Sequence, residues 1–140
     1  KIPSPLSINI DGYSTLHPSV SPDGKRLYFA SDRPGGFGGM DLYFVPLEKG
    51  VIAGGVTNLG SDINTSEDEV FPFLYEKNIL FYSSRTSGKR FSIMLAINRI
   101  ENRWESKPLQ KPFNSDGDNF SFSIAKKDKI GFLSKQPRRL

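Results

Sequence analysis

Asp68 and Glu69 stand side by side in "NTSEDE", and a pair of carboxylates is what glycoside hydrolysis requires. Neighbouring residues of a strand point to opposite faces, however, so this pair cannot flank one scissile bond. "NSDGDN" (114–119) gathers oxygen donors of the kind a hard cation takes. A calcium loop counted from Asn114 would close on Glu at its twelfth place, which holds Ala125, and "NTSEDE" occupies the same place one repeat earlier. A turn before a strand is expected there, and no metal is assigned. Ser31, Ser83 and Ser134 recur at one repeat position, but the single histidine, His17, has no matching place beside them. These serines therefore read as structural, and no catalytic residue is assigned.

The stretch "SDRPGGFGGMDLYF" (31–44) invites a phosphate-cradling reading. A dinucleotide fingerprint needs Gly at first, third and sixth positions, opening a helix. From Gly36 the series runs Gly36, Gly38, Asp41, and from Gly35 it fails at Phe37. A P-loop needs Gly-Lys-Ser/Thr, which does not follow, and "MDLYFV" alternates as a strand. The glycines are expected to join two strands, at positive φ and with close backbone approach. No cofactor is assigned.

Composition narrows the chemistry further. The 140 residues contain no cysteine, which removes disulfides, thiolate metal sites and cysteine nucleophiles. The net charge is +4, and much of the positive charge sits late, at Lys126, Lys127, Lys129, Lys135, Arg138 and Arg139, which reads as a solvated end rather than a nucleic-acid patch. No apolar run approaches the roughly 18 residues of a membrane span, and "KIPSPLSINI" lacks a signal-peptide core. The chain is expected to be mature protein or a segment of something longer.

The elements that would position these residues recur. "HPSVSPDGKRLYFAS" (17–31), "FPFLYEKNILFYSS" (71–84) and "FSFSIAKKDKIGFLS" (120–134) each hold a strand, a polar turn and a second strand. Phe29, Phe81 and Phe132 fall at matching places, spaced by 52 and 51, and Asn64 in "LGSDINTSEDE" lies over Asn114 in "LQKPFNSDGDN". A period of about 50 residues with alternating apolar positions indicates a propeller-type array of four-stranded blades. Strands are expected at about 17–21, 26–31, 41–46 and 55–60, then 70–75, 78–84, 91–97 and 103–109. "SPDGK" (21–25) is a turn by mechanism, since Pro fixes one corner and Asp-Gly tolerates the left-handed one. "PLSIN" (5–9) reads as a fourth strand, because Ile8-Asn9 matches Ile63-Asn64 and Phe113-Asn114. The expected fold is all-β, a β-propeller segment of antiparallel blades. Residues 1–16 would be the last strand of a preceding blade and a linker, 17–66 and 67–116 blades, and 117–140 the start of a third. Neighbouring blades, from a longer chain or another one, are expected to cover both ends.

"HPSVSPDGKRLYFASDRPGGFGGMDLYFV" resembles the WD-like β-propeller repeat of periplasmic TolB-type proteins. Its glycine-rich form is similar to that of Bacteroidetes OmpA-family envelope lipoproteins of the type IX secretion and gliding machinery, and "NLGSDINTSEDEVFPFLYE" resembles their next junction. Later repeats depart from the pattern, with "YEKN" and "AKKDK" in place of Ser-Pro-Asp-Gly and "RTSGKRFSI" in place of the glycine run. No OmpA-like domain is present in the sequence, so peptidoglycan binding does not carry over. The resemblance implies a non-enzymatic binding or scaffold module, periplasmic and outer-membrane associated, with a protein partner in the cell envelope. The other reading is an accessory propeller of a peptidase or glycosidase whose catalytic residues lie outside this chain.

Strand parity puts the loops after second strands beside the loops entering first strands. That face would carry Asp32, Arg33, Asp62, Glu67, Asp68, Glu69, Arg85, Lys89, Arg90, Asp116 and Asp118, a mixed-sign surface suited to a peptide or glycan. Arg33, Asp41, Asp68, Glu69 and Arg85 are the candidate ligand-binding residues. The competing reading is that Asp and Arg pair with each other to hold the loops. Lys25 and Lys77 sit on turns expected at the opposite face.

Overall fold

The computed structural model describes residues 4–86, 90–100, 103–125 and 130–136. These residues are all-β, with eleven strands in antiparallel sheets, one of them curled into a half-barrel. No helix among them is long and apolar enough to cross a membrane. Sheet I holds β1 (Thr15–Val20), β2 (Arg26–Ser31) and β3 (Asp41–Glu48), and the short β4 (Val51–Ile52) and β5 (Thr57–Asn58) both pair with β3. Sheet II runs β6 (Glu69–Glu76), β7 (Ile79–Thr86), β8 (Arg90–Ile100), β9 (Arg103–Pro108). Sheet III is the pair β10 (Asp118–Ala125) and β11 (Ile130–Gln136).

Turn chemistry sets these pairings. Ser21–Lys25 closes β1 onto β2, with Gly24 at φ 70° donating its N–H to Ser21 O at 2.8 Å. Lys49 and Gly50 both have positive φ, 51° and 78°, the two-residue geometry that turns a strand directly back on itself. Val51 therefore returns at once onto Glu48. The expected fourth strand at 55–60 is consequently divided between β4 and β5, on either side of Gly54 and Gly55.

Each sheet has two apolar faces. The front of sheet I (Tyr28, Ala30, Leu42) meets the back of sheet II (Val70, Leu74, Leu80, Tyr82, Ala96) in one core cluster. The front of sheet II (Phe81, Ile93) meets Phe122, Ile124 and Leu133 of sheet III in another. Burying each large apolar side chain contributes about 1.5–3 kcal/mol over leaving it exposed. A third cluster forms on the back of sheet I, from Leu27, Phe29, Tyr43 and Val45 with Ile8.

These faces correct the sequence alignment. Phe29 lies on a back face and Phe81 on a front face, so they are not equivalent; Tyr28 is the counterpart of Phe81. The Ser21–Lys25 turn gives the first repeat one extra residue between its first two strands, and a one-residue slip reverses every face. For the same reason Ser83 matches Ala30 rather than Ser31. The expected leading strand at 5–9 is absent: Asn9 N–H donates to Leu6 O at 3.1 Å in a turn, and the first strand opens at Thr15. Pro5 has no N–H to give a ladder there. The first strands of the three sheets open at Thr15, Glu69 and Asp118.

The first strands share a feature absent from the pattern reading. His17, Phe71 and Ser121 have φ of 53°, 54° and 47°, each at an irregularity in pairing with the second strand. Such bulges bend a strand and raise its twist. The bulges align across the sheets, where the His17 and Phe71 rings stack at 3.7 Å and Phe71 meets Phe120 edge-on at 6.0 Å.

Candidate functional site

The polar loops meet where one sheet passes to the next. Asp41, the first residue of β3, is buried; its carboxylate accepts from Phe37 N (2.7 Å), Gly38 N (3.1 Å) and Asn58 Nδ2 (2.8 Å). Asn58 Oδ1 in turn accepts from Asn64 Nδ2 at 2.8 Å. Asn64 bonds both backbone groups of Leu42, accepting from its N–H at 2.8 Å and donating to its carbonyl at 3.0 Å. Asn114 repeats this on Ile93, at 2.7 and 2.9 Å. Asp68 then takes Met40 N at 3.0 Å, and Asp118 takes Phe91 N at 2.9 Å. The segment entering each sheet thus grips the third strand of the sheet before it.

Glu69 opens β6 and is fully buried. It accepts from Thr65 N, Thr65 Oγ1 and Ser84 Oγ, each at 2.8 Å. Burial pushes its carboxyl above the usual carboxylate range, the three hydrogen bonds oppose this, and the Asp41 charge adds to the rise. In the third repeat Asn119 stands in the same place, buried, bonded to Ser115 and to the Gly117 carbonyl.

Arg33 is also buried. Its guanidinium donates to Ser31 Oγ (3.1 Å), Ile8 O (3.1 Å) and Thr15 Oγ1 (3.4 Å), and lies over the rings of Phe29 and Tyr43 at 4.8 and 5.2 Å. Desolvation lowers its pKa, and the ring faces compensate part of the missing hydration. Arg85 pairs with Asp68 at 3.1 Å and covers Phe91 at 4.8 Å. Of the five candidate residues, Arg33, Asp41 and Glu69 are buried with intrachain partners, while Asp68 and Arg85 are partly exposed and face each other.

The remaining loop residues divide. Asp32 accepts from Ser14 N at 2.6 Å, whereas Asp62 turns away to accept from Trp104 N at 3.0 Å and to face Arg103 at 3.6 Å. Lys89 lies outside the described residues. His17 Nδ1 is buried without a hydrogen-bond partner among the described residues, and burial lowers the imidazole pKa. Ser31 Oγ donates to Ser14 O at 2.7 Å, and Ser83 Oγ is buried without a hydrogen-bond partner among the described residues. Among the described residues no three His, Asp or Glu side chains gather as a metal site. Asn58, Thr65, Ser84 and Asn119 are neutral and belong to no motif that marks them in the sequence; the alignment of Asn64 with Asn114 is the sequence signal for this network.

The glycine run serves the same junction. Gly39 N donates to Glu67 O at 3.0 Å, and a Cβ at Gly38 would collide with the backbone of Thr65, Ser66 and Glu67. Only Gly35 of this run has positive φ, 87°. The expectation of positive φ at Gly38 and Gly39 is therefore corrected: the 65–67 backbone excludes a side chain at Gly38, and the Asp68 carboxylate crowds one at Gly39. No family model, curated protein or solved structure matches this chain.

Two predictions follow from the junction. Gly38→Ala should lower stability in urea by about 2 kcal/mol, while Gly55→Ala, with open space at ordinary φ, should be neutral or stabilising by about 0.5 kcal/mol. Equal effects would show that the 65–67 backbone yields. For Glu69, a folded pKa raised above the unfolded value favours the protonated form in the fold. Its contribution is therefore full below about 4.5 and is lost as pH rises through the folded pKa. Stability of the native chain should fall relative to Glu69→Gln between pH 4.5 and neutrality; parallel pH curves would contradict it.

Proposed function

We propose that the three sheets are consecutive blades of a β-propeller of the WD-like, TolB-type class, acting as a non-enzymatic binding or scaffold module. The resemblance of residues 17–45 to envelope-protein repeats supports a periplasmic module of a Gram-negative cell, associated with the outer membrane, in an assembly of the secretion or peptidoglycan-anchoring kind. Its partners are an envelope protein and the neighbouring blades.

The observation that carries this reading is a set of equivalent positions with opposite exposure. Val70 and Leu74 of β6 are 5% and 4% exposed in the core shared with sheet I; their counterparts in β1, Leu16 and Val20, are 43% and 55% exposed. Phe81 is 8% exposed on the front of sheet II, and its counterpart Phe132 on sheet III is 61% exposed. Asn9, the counterpart of Asn64, is exposed as well. A stacked array continuing in both directions would cover all four, as interior sheets of a propeller cover one another. The mixed-sign loops tie sheet to sheet, which suits a rigid scaffold.

Replacing Leu16 and Val20 together by Glu should leave the melting temperature of this chain nearly unchanged, because both side chains are already exposed. In sedimentation, the native chain should associate with rising concentration, or with an added neighbouring repeat, and the double variant should stay monomeric. A native chain that stays monomeric in both conditions would count against stacked blades.

A further inference from the structure

A groove of about 900 Å³ opens between sheets I and II on the side of the Ser21–Lys25 turn, away from the glycine run. That volume falls in the range of ligand clefts, about 300–1,000 Å³. Lys25, Arg26 and Lys77 line it, against the single carboxylate of Asp23. Asp23 is already engaged, accepting from Ser21 Oγ at 2.6 Å and Lys25 N at 3.0 Å. None of the three cations forms a salt bridge among the described residues. Arg26 lies over the Phe44 ring at 4.7 Å, whereas the charges of the loop junction find ion-pair or hydrogen-bond partners within the chain.

The floor of the groove is made by Tyr28 and Trp104, which are 1% and 9% exposed. Neither the Tyr28 hydroxyl nor the Trp104 indole N–H has a hydrogen-bond partner among the described residues, and neither is among the polar atoms sealed from solvent. Asn78 and Asn98 add two carboxamides without hydrogen-bond partners among the described residues; their backbones are joined, Asn98 N to Asn78 O at 2.9 Å. The lining is thus rich in donors and net positive, so its ligand must be anionic and rich in acceptors.

The form of that ligand follows from what the aromatic residues present. Tyr28 and Trp104 are buried among core neighbours and offer no exposed ring face on which a sugar could stack. Free carboxamides, by contrast, suit a peptide backbone: Asn64 and Asn114 already bond both the N–H and the carbonyl of one residue in this protein. We infer that this groove binds an acidic peptide segment in extended form, with Lys25, Arg26 and Lys77 on its carboxylates and Asn78 and Asn98 on its backbone. The inference rests on reading the chain as a binding module and not on how many blades surround it.

Trp104 is the only tryptophan, so its fluorescence reports on the groove. The test titrates the chain with a hexapeptide of alternating Asp and Glu, its Asn/Gln analogue, and a carboxylated oligosaccharide of similar charge. The acidic peptide should shift Trp104 emission and bind about tenfold or more tightly than the amide analogue, with an advantage that shrinks in salt. Lys25→Glu/Lys77→Glu should weaken it by about tenfold, while Lys107→Glu, exposed and outside the groove, should not. Both lysines are exposed, and thermal melting verifies that the variant folds. Tighter binding of the oligosaccharide, an equal loss at Lys107→Glu, or no shift of Trp104 would each overturn the proposal. Leu16→Glu/Val20→Glu leaves the groove intact, so titrating that variant separates failure of the groove from failure of the stacked-blade reading.

Discussion

One carboxamide bonded to both backbone groups of a residue in the preceding sheet sets the terms for the rest of this molecule. Asn64 holds Leu42 and Asn114 holds Ile93, so each sheet is joined to the next by a directional tie, buried at Asn64 and part-buried at Asn114, as well as by apolar contact. Such a tie has steep consequences, since a buried backbone group left without its partner costs about 1–3 kcal/mol. It also fixes the chain entering each sheet closely enough that Gly38 must be glycine, Asp68 can reach Met40, and Glu69 must find its donors locally. The loops that look chemically active are the seam between sheets.

This divides the two sides of the sheet stack by the use of their charges. At the seam, Arg33, Asp41 and Glu69 are buried and committed, and the Asp68–Arg85 pair closes on itself. Preorganised networks of this kind rigidify a core when every member is satisfied. At the Ser21–Lys25 side the cations have no ion-pair partner, and two nearly buried aromatic residues have no hydrogen-bond partner for their donors, among the described residues. Spare hydrogen-bonding capacity beside a groove is where a partner gains most.

Much of the fold was legible because strands write themselves in alternation and turns in Pro, Asp and Gly. "SPDGK", "RLYFAS" and "ILFYSS" were each found in their expected elements, and the third repeat supplied its two strands. What failed was counting. Equal spacing placed Phe29 over Phe81, but one extra turn residue put them on opposite faces. "PLSIN" matched its counterparts in sequence, yet those counterparts also lie in turns. For the site, charge drew attention to Arg33, Asp41 and Glu69, while the neutral amides that organise them carried no such signal beyond Asn64 above Asn114. The bulges at His17, Phe71 and Ser121 were illegible because three different residue types share one backbone conformation.

The central claim is that the Asn64 carboxamide couples sheet I to sheet II, and hydrogen exchange on Asn64→Ala tests it most directly. In the native chain the amides of Leu42 and of β7 should exchange together through one cooperative opening. In the variant, Leu42 and the rest of sheet I should exchange much faster than β7, as two units in place of one. If both sheets keep a single shared opening, with Leu42 as protected as before, the tie is dispensable and apolar packing alone couples the sheets.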